Sequence, residues 1–358
     1  MAFTIALLCG STLLAENQTA ATAGKLTNVN ATQLYYQECG TGTDAVVLLH
    51  DGVANSAVWD DVWPSFCQHF HTIRYDRRGY GRSPETKKAY FEADDLAALL
   101  ADLKIKHAAL VGASHGGQVA MEFAMRFPQS VSDLVVVAPG ATGFQYSEYY
   151  LMRQFIDQQT KEPDKLREQL VQDNFLLAPG DDAARKKLRA ILTAAPQDMT
   201  HNDMPLFEKP IFPYVSELRM PTLILIGSAD ISDNQAVTGA LLVTISGSFR
   251  DVIPDTGHLM YLEKPQEFFN EVNRFRRFTD SNRCNRRPEK SRYAQNPDPT
   301  AKKQRKLTTL PVYSSHLREH SRRISAPTLA LPEQECTLAD TVNEVPCVPR
   351  SLVSSTRL

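Results

Sequence analysis

The 358-residue chain has no run of about 18 consecutive apolar residues, so nothing in it predicts a membrane-spanning helix. It has no CxxC pair, and its cysteines and histidines show no metal-ligand spacing, so no metal is expected. Its six cysteines (Cys9, Cys39, Cys67, Cys284, Cys336, Cys347) lie far apart. That scatter predicts buried or free thiols rather than a disulfide framework. An excess of positive charge is also missing. The formal net charge is −2, which gives no reason to expect a nucleic-acid partner. There is no internal repeat.

What is present is unevenly distributed. Residues 281–358 carry 14 Lys+Arg against 7 Asp+Glu, a net of +7, which leaves −9 on the remainder. The segment is rich in Pro, Ser and Arg and poor in aromatics, and loses all periodicity. It cannot bury enough apolar surface to offset chain entropy, and a dispensable, disordered, solvated tail is expected after a last helix ending near Phe278. At the other end, residues 1–23 are apolar and then small and polar, with Ala21-Thr22-Ala23 as an A-x-A cleavage site. This predicts a signal peptide, a mature start at Gly24 and export to a periplasm or the medium. The absence of Lys and Arg before Lys25 departs from the pattern and leaves a cytoplasmic protein with a loose N-terminal extension as the alternative. A lipoprotein site at Cys9 fits poorly, because Leu8 stands where a small residue is needed.

Between these ends, apolar runs alternate with amphipathic patterns. "LTNVNATQLYYQEC" reads as two strands around a turn. "AVVLLH", "HTIRYD", "HAALVG", "DLVVVAP", "TLILIG" and "SFRDVIP" read as further strands, and "SAVWDDVWPSFCQ", "EADDLAALLADL", "GGQVAMEFAMRF" and "PQEFFNEVNRFRRF" as helices. Continuous apolar strands alternating with helices predict an α/β fold with a mostly parallel sheet covered on both faces. From Ala141 to Leu218 the alternation stops and only helical segments appear, as expected of a helical cap inserted between core segments 24–140 and 219–280.

The pentapeptide Gly112-Ala113-Ser114-His115-Gly116 joins a buried strand directly to a helix. A serine on so tight a turn needs glycine on both sides, and the turn lifts its Oγ above the sheet edge. G-x-S-x-G in this setting is a nucleophile elbow. His115 is expected to contribute its backbone N–H to an oxyanion site and its ring only to packing. After the strand "AVVLLH", the turn Asp51-Gly52-Val53 offers a second N–H. Gly52 is the expected donor and Val53 the alternative; His50 is expected to be a structural hydrogen-bonding residue. Asp230 follows the strand "TLILIG" by three residues, and His258 lies between the last strand and the last helix. Asp233 competes with Asp230 as the acid, but its place before "NQAVTGALL" suits helix capping.

The motifs "LLHDG", "YDRRGYGRS", "GASHGG", "GSAD" and "GHLMYLEKP" together make residues from about 26 to 278 resemble the α/β-hydrolase fold family, within its small esterase, lactonase and haloperoxidase-like group. The order Ser, Asp, His is that of the family. The resemblance implies a serine hydrolase in which Ser114 is the nucleophile, His258 the base and Asp230 its orienting acid. It implies a small-molecule ester or lactone as substrate, an acyl-enzyme intermediate, and no cofactor. Asp51 departs from the glycine common at that place in relatives. Asp76, Arg77 and Arg78 are read as loop-fixing. Ser114 argues against dehalogenases and epoxide hydrolases, which use an aspartate nucleophile. Carbon–carbon bond hydrolases, cofactor-free haloperoxidase-like enzymes and aminopeptidases remain alternatives, the last needing an acidic anchor among Glu148, Asp157 and Glu162. A non-catalytic hydrolase-fold binding protein is the alternative of another class. The cap supplies Tyr146, Tyr149, Tyr150, Met152, Phe155 and Phe207, as expected of a partly apolar lid that governs acyl preference.

Overall fold

The computed structural model describes residues 23–42, 45–200 and 205–285; almost all of the expected signal peptide and of the basic tail lie outside them. An antiparallel hairpin opens the chain: β1 (Lys25–Val29) and β2 (Thr32–Cys39), joined at Asn30-Ala31. Both turn residues have positive φ, 42° and 61°, as a two-residue hairpin with right-handed twist demands. β3 (Ala45–Leu49) follows, then α1 (Trp63–His69) and β4 (His71–Tyr75). The helix expected over "SAVWDDVWPSFCQ" is split into a single 3-10 turn, Ser56–Trp59, and α1, with Pro64 in the first turn of α1. Proline lacks an N–H and is tolerated at a helix start, which is why α1 begins there.

A short strand β5 (Tyr90–Phe91) precedes α2 (Glu92–Asp102), β6 (Ala108–Ala113), α3 (His115–Arg126) and β7 (Val131–Val137). Between β7 and the next core strand the chain forms α4 (Glu148–Gln159), α5 (Pro163–Gln172), α6 (Asp182–Ala194), α7 (Gln197–Thr200) and the short strand β8 (Pro205–Leu206). The core resumes with β9 (Thr222–Gly227), α8 (Ser232–Thr244), β10 (Phe249–Ile253), α9 (Met260–Glu263) and α10 (Pro265–Asn285).

Eight strands make one sheet in the order β1-β2-β4-β3-β6-β7-β9-β10. Only the β1–β2 and β2–β4 pairings are antiparallel. β3 shows why the central strands read as unbroken apolar runs. Val46 and Leu48 pack into the hydrophobic cluster on one face, Val47 and Leu49 into the cluster on the other. Helices cover both faces, so no position in the strand is free to be polar. β5 pairs with β8 in parallel and ties the cap to the core.

Two expectations are corrected here. Cys39, at the end of β2, is disulfide-bonded to Cys67 in α1, across 28 residues. Sequence spacing could not reveal the pair, because β2 and α1 meet only when the sheet forms. The last helix also continues beyond Phe278 to Asn285. The turn before this extension is held by Arg276, buried in an ion pair with Asp133 of β7, and by Phe278, whose ring lies 5.5 Å from that of Phe249.

Candidate active site

The turn between β6 and α3 has no spare residue: Ser114 alone separates the last strand position from the first helical one. It holds φ 50° and ψ −114°, a strained conformation for a residue with a side chain. The turn is anchored by Ser114 N–H donating to Val137 O at 2.8 Å. A Cβ on Gly112 would come within 2.4 Å of Gly116 O, and one on Gly116 within 2.4 Å of His50 O. Both glycines are therefore required by close backbone approach. Gly117 N–H and Gln118 N–H of α3 donate to Ser114 O at 3.0 and 3.2 Å and close the helix onto the turn.

Asp230 follows β9, and His258 follows β10. His258 Nδ1 lies 2.9 Å from Asp230 Oδ2. Asp230 Oδ1 also accepts from Ile231 N–H at 2.7 Å and from the Asn234 amide at 2.9 Å. The carboxylate is thus held by three residues, and His258 lines the cavity. Burial opposes a charge on that ring, but the Asp230 charge and hydrogen bond outweigh it and raise the His258 pKa above its ordinary value. Asn234, one turn into α8, was not singled out in the sequence. An i, i+4 partner for Asp230 was readable only once a helix was known to start at Ser232.

Asp233, the competing carboxylate, turns the other way. It accepts from Ser147 N–H at 2.6 Å and Ser147 Oγ at 2.9 Å, at the N-terminus of α4. The expected capping of α8 is not made, since the helix begins at Ser232 with no side-chain cap. Asp233 instead fastens the cap to the core.

Asp51 is fully buried. Its Oδ1 accepts from Val53 N–H at 2.7 Å and Ala54 N–H at 3.0 Å, and its Oδ2 accepts from Tyr261 Oη at 2.6 Å. Its carbonyl lies 2.8 Å from His50 Nδ1 and accepts from Arg77 Nη2 at 2.7 Å. Arg77 N–H donates to His50 Nε2 at 2.9 Å, so Nδ1 carries the proton. Burial, aided by the nearby Arg77 charge, pushes the His50 pKa well down, which suits a structural neutral imidazole. Asp76 accepts from Ser56 N–H and Arg82 N–H, each at 2.9 Å, and Arg78 forms a buried fork onto Asp95.

The His115 ring does more than fill space, contrary to expectation. Its Nε2 bonds to Glu92, which also binds Arg77 Nη1 at 2.6 Å. Burial alone would raise the Glu92 carboxyl, but His115 and Arg77 hold it well below the usual range. This buried cluster underlies the turn of Ser114 and the loop of Gly52, and α2, which provides Glu92, gave no hint of it in sequence.

Gly52, Ser114, Asp230 and His258 all line one cavity of about 790 Å³, roofed by the cap. From the cap, Tyr150, Leu166, Leu170, Phe175 and Leu176 bring apolar surface to it; Arg153, Gln154, Asp157 and Lys161 bring polar groups. Asp198 of α7 also faces it and accepts from Gly81 N–H and from the Asn55 amide. Burial pushes the Asp198 carboxyl up to about 6. Of the six cap side chains singled out in the sequence, Tyr150 lines the cavity; Tyr146 stacks on it, Phe207 meets the His115 ring, and Tyr149, Met152 and Phe155 are exposed. Of the acidic anchors considered, Asp157 lines the cavity, while Glu148 and Glu162 are exposed and do not. Among the described residues no cluster of His, Cys, Asp and Glu could hold a metal, and no helix is long and apolar enough to cross a membrane.

Residues 46–272 match the family described as the alpha/beta hydrolase family. The chain belongs to it. The curated relatives include the pimeloyl-[acyl-carrier protein] methyl ester esterase of Aliivibrio fischeri, 28% identical over 68% of this chain and 97% of that protein. Among solved structures, a thermophilic esterase from Thermogutta terrifontis superposes with a TM-score of 0.62 at 25% identity, covering 72% of this chain and 99% of that one. An N-acyl homoserine lactone degrading enzyme superposes with a TM-score of 0.59 at 25% identity, over 70% and 100%. This α/β hydrolase is thus an enzyme whose relatives include esterases and a lactone-degrading enzyme.

Proposed function

We propose that this hydrolase cleaves a carboxylic ester or lactone through Ser114, His258 and Asp230. The observation that carries the reading is the Asp230–His258 pair, 2.9 Å apart, sharing one cavity with a serine held on a strained strand-to-helix turn. His258 Nε2 takes the Ser114 proton as Oγ attacks the carbonyl carbon. Asp230 holds the imidazole tautomer and stabilises the imidazolium. The imidazolium then returns the proton to the leaving alkoxide. Water, activated by the same ring, releases the acid from the acyl-enzyme.

The developing oxyanion needs N–H donors that are not already committed. Val53 and Ala54 N–H are taken by the Asp51 carboxylate. This supports Gly52 over Val53 as the donor that acts with His115 N–H; neither N–H has a protein acceptor among the described residues. Loss of such a donor typically raises a barrier by about 2.7–4 kcal/mol. The name of the lactone-degrading relative supports including lactones in the substrate class.

We also propose export, with the mature chain starting at Gly24. The Cys39–Cys67 bond supports this, because disulfides persist in oxidising compartments. Intact mass of natively produced protein tests it, and retention of the leader would overturn it. The central test is turnover of p-nitrophenyl esters and of lactones by the wild type and by Ser114→Ala. A wild type that turns over neither would favour a binding protein.

A further inference from the structure

Helix α4 is built inside out. An ordinary surface helix turns its apolar stripe to the core and its polar face to water. Here Arg153, Gln154, Asp157 and Gln158 line the cavity. Leu151, Met152, Phe155 and Ile156 lie on the other side, 44%, 58%, 56% and 49% exposed, with Tyr149, 57% exposed and 5.9 Å from the Arg153 guanidinium, at the margin. These positions follow helical spacing and form one stripe along the helix. Its inner face is committed: Arg153 pairs with Asp173 and lies 5.0 Å over the Phe175 ring, and Tyr150 is buried. Ser147 holds the helix start to Asp233. The helix therefore cannot roll its apolar stripe inward without breaking these bonds.

Five large side chains, each about half exposed, present on the order of 500 Å². That is as large as the biggest apolar patch usual on a monomer, and such patches often mark a binding site. It falls short of the roughly 800 Å² per partner of a stable protein interface. A flat apolar phase needs no such area or shape, only one helix face to enter it. The exposed residues of α4 include one carboxylate, Glu148, and no Lys or Arg. This favours a zwitterionic surface over an anionic one. The C-terminal end of the same helix, with Gln159, Thr160 and Lys161, lines the cavity.

We propose that the outer face of α4 docks the enzyme on a zwitterionic lipid–water interface, beside the cavity that its inner face lines. Resting on the ester-hydrolase reading, this makes esters held in such an interface the substrates delivered to Ser114. Docking itself requires no turnover, so the two can be tested apart.

The test uses the full chain and phosphatidylcholine vesicles in 0.5 M NaCl, where the charge of the basic tail is screened. The variants are Phe155→Gln alone and Met152→Gln/Phe155→Gln/Ile156→Gln together, all at exposed positions. The wild type is expected to co-sediment with the vesicles, and the triple variant to bind at least about tenfold more weakly. Both should turn over soluble p-nitrophenyl acetate within about twofold of each other. The single variant should fall between them and guards against misfolding of the triple. A wild type that ignores the vesicles would overturn the proposal. Equal binding by the triple variant would also overturn it and assign docking to another segment. A wild-type dimer in sedimentation velocity that the triple variant abolishes would make a second copy the occupant, and overturn it likewise. A wild type that binds vesicles but hydrolyses no ester would sink the hydrolase reading and leave the docking standing.

Discussion

The loops at the strand ends and the cap above them hold their side chains by different means. At the strand ends, Asp230 and Asp51 are each fixed from several directions. Asp230 accepts from a backbone N–H, from the α8 amide Asn234 and from His258, and Asp51 binds two N–H groups and the Tyr261 hydroxyl. The cap packs apolar side chains such as Val171, Leu177, Leu188 and Leu192 into the core cluster around Trp59 and Tyr261, and adds individual polar ties. Ser147 binds Asp233, Glu208 N–H donates to Glu122, and Ala178 N–H donates to Glu263. Its helix α4 leaves an apolar face in water. The difference separates two tasks. The groups proposed to react need positions held within a fraction of an ångström, whereas the proposed roof over them needs only to stay in place.

The sharpest way to break this contrast is Ser114→Ala. It should lower kcat for a p-nitrophenyl ester by about 10⁴-fold or more. Asp230→Asn should leave the fold intact and cost up to about 10⁴-fold. In the wild type the rate should rise with pH as His258 loses its proton, with a midpoint above the ordinary imidazole value, because Asp230 favours the charged ring. In Asp230→Asn the midpoint should move to lower pH. Stopped assays across pH 5–9 check both; unchanged midpoints would remove Asp230 from the acid's place.

Next in size is the Cys39–Cys67 bond, which belongs wholly to the core. Replacing both cysteines by serine should cost about 3–4 kcal/mol by the loop-entropy estimate, read from denaturant titrations in which m rises as the unfolded chain expands. No change would mean that the loop is already ordered in the unfolded chain.

Glu122 tests a tie between core and cap. Burial raises its carboxyl to about 7, and its Oε2 has no partner. The folded state therefore holds a proton that the unfolded chain releases near 4.5. Stability from this group is complete below about 4.5 and falls as pH rises to about 7, by up to about 3 kcal/mol. Glu122→Gln should abolish that part of the slope in urea titrations at pH 4.5 and 7.5. A slope identical to wild type would refute it.

The smallest effect is expected for Asp233→Asn. It weakens the tie to Ser147 by about 1–2 kcal/mol and should change kcat less than about threefold, with any change appearing in KM. A kcat loss larger than that of Asp230→Asn would exchange the roles of the two carboxylates.

Much of this was legible in the chain itself. Runs such as "AVVLLH" and "TLILIG" mark strands buried on both faces, because no other environment tolerates so many adjacent apolar side chains. Gly112 and Gly116 mark a turn where backbones touch, and the contacts at 2.4 Å give the reason. Both signals are local: each residue's requirement is set by its immediate neighbours and by the period of its element. What only the tertiary structure decided depends on partners distant in sequence. Cys67 reaches Cys39 because α1 packs beside β2, Asp233 reaches Ser147 across 86 residues, and His115 reaches Glu92 across 23. The periodicity of α4 likewise gives an amphipathic helix but not which face meets the cavity. Arg153 pairing with Asp173 chose the polar face, because a hydrogen-bonded charge tolerates that enclosure and five apolar side chains would leave it unpaired.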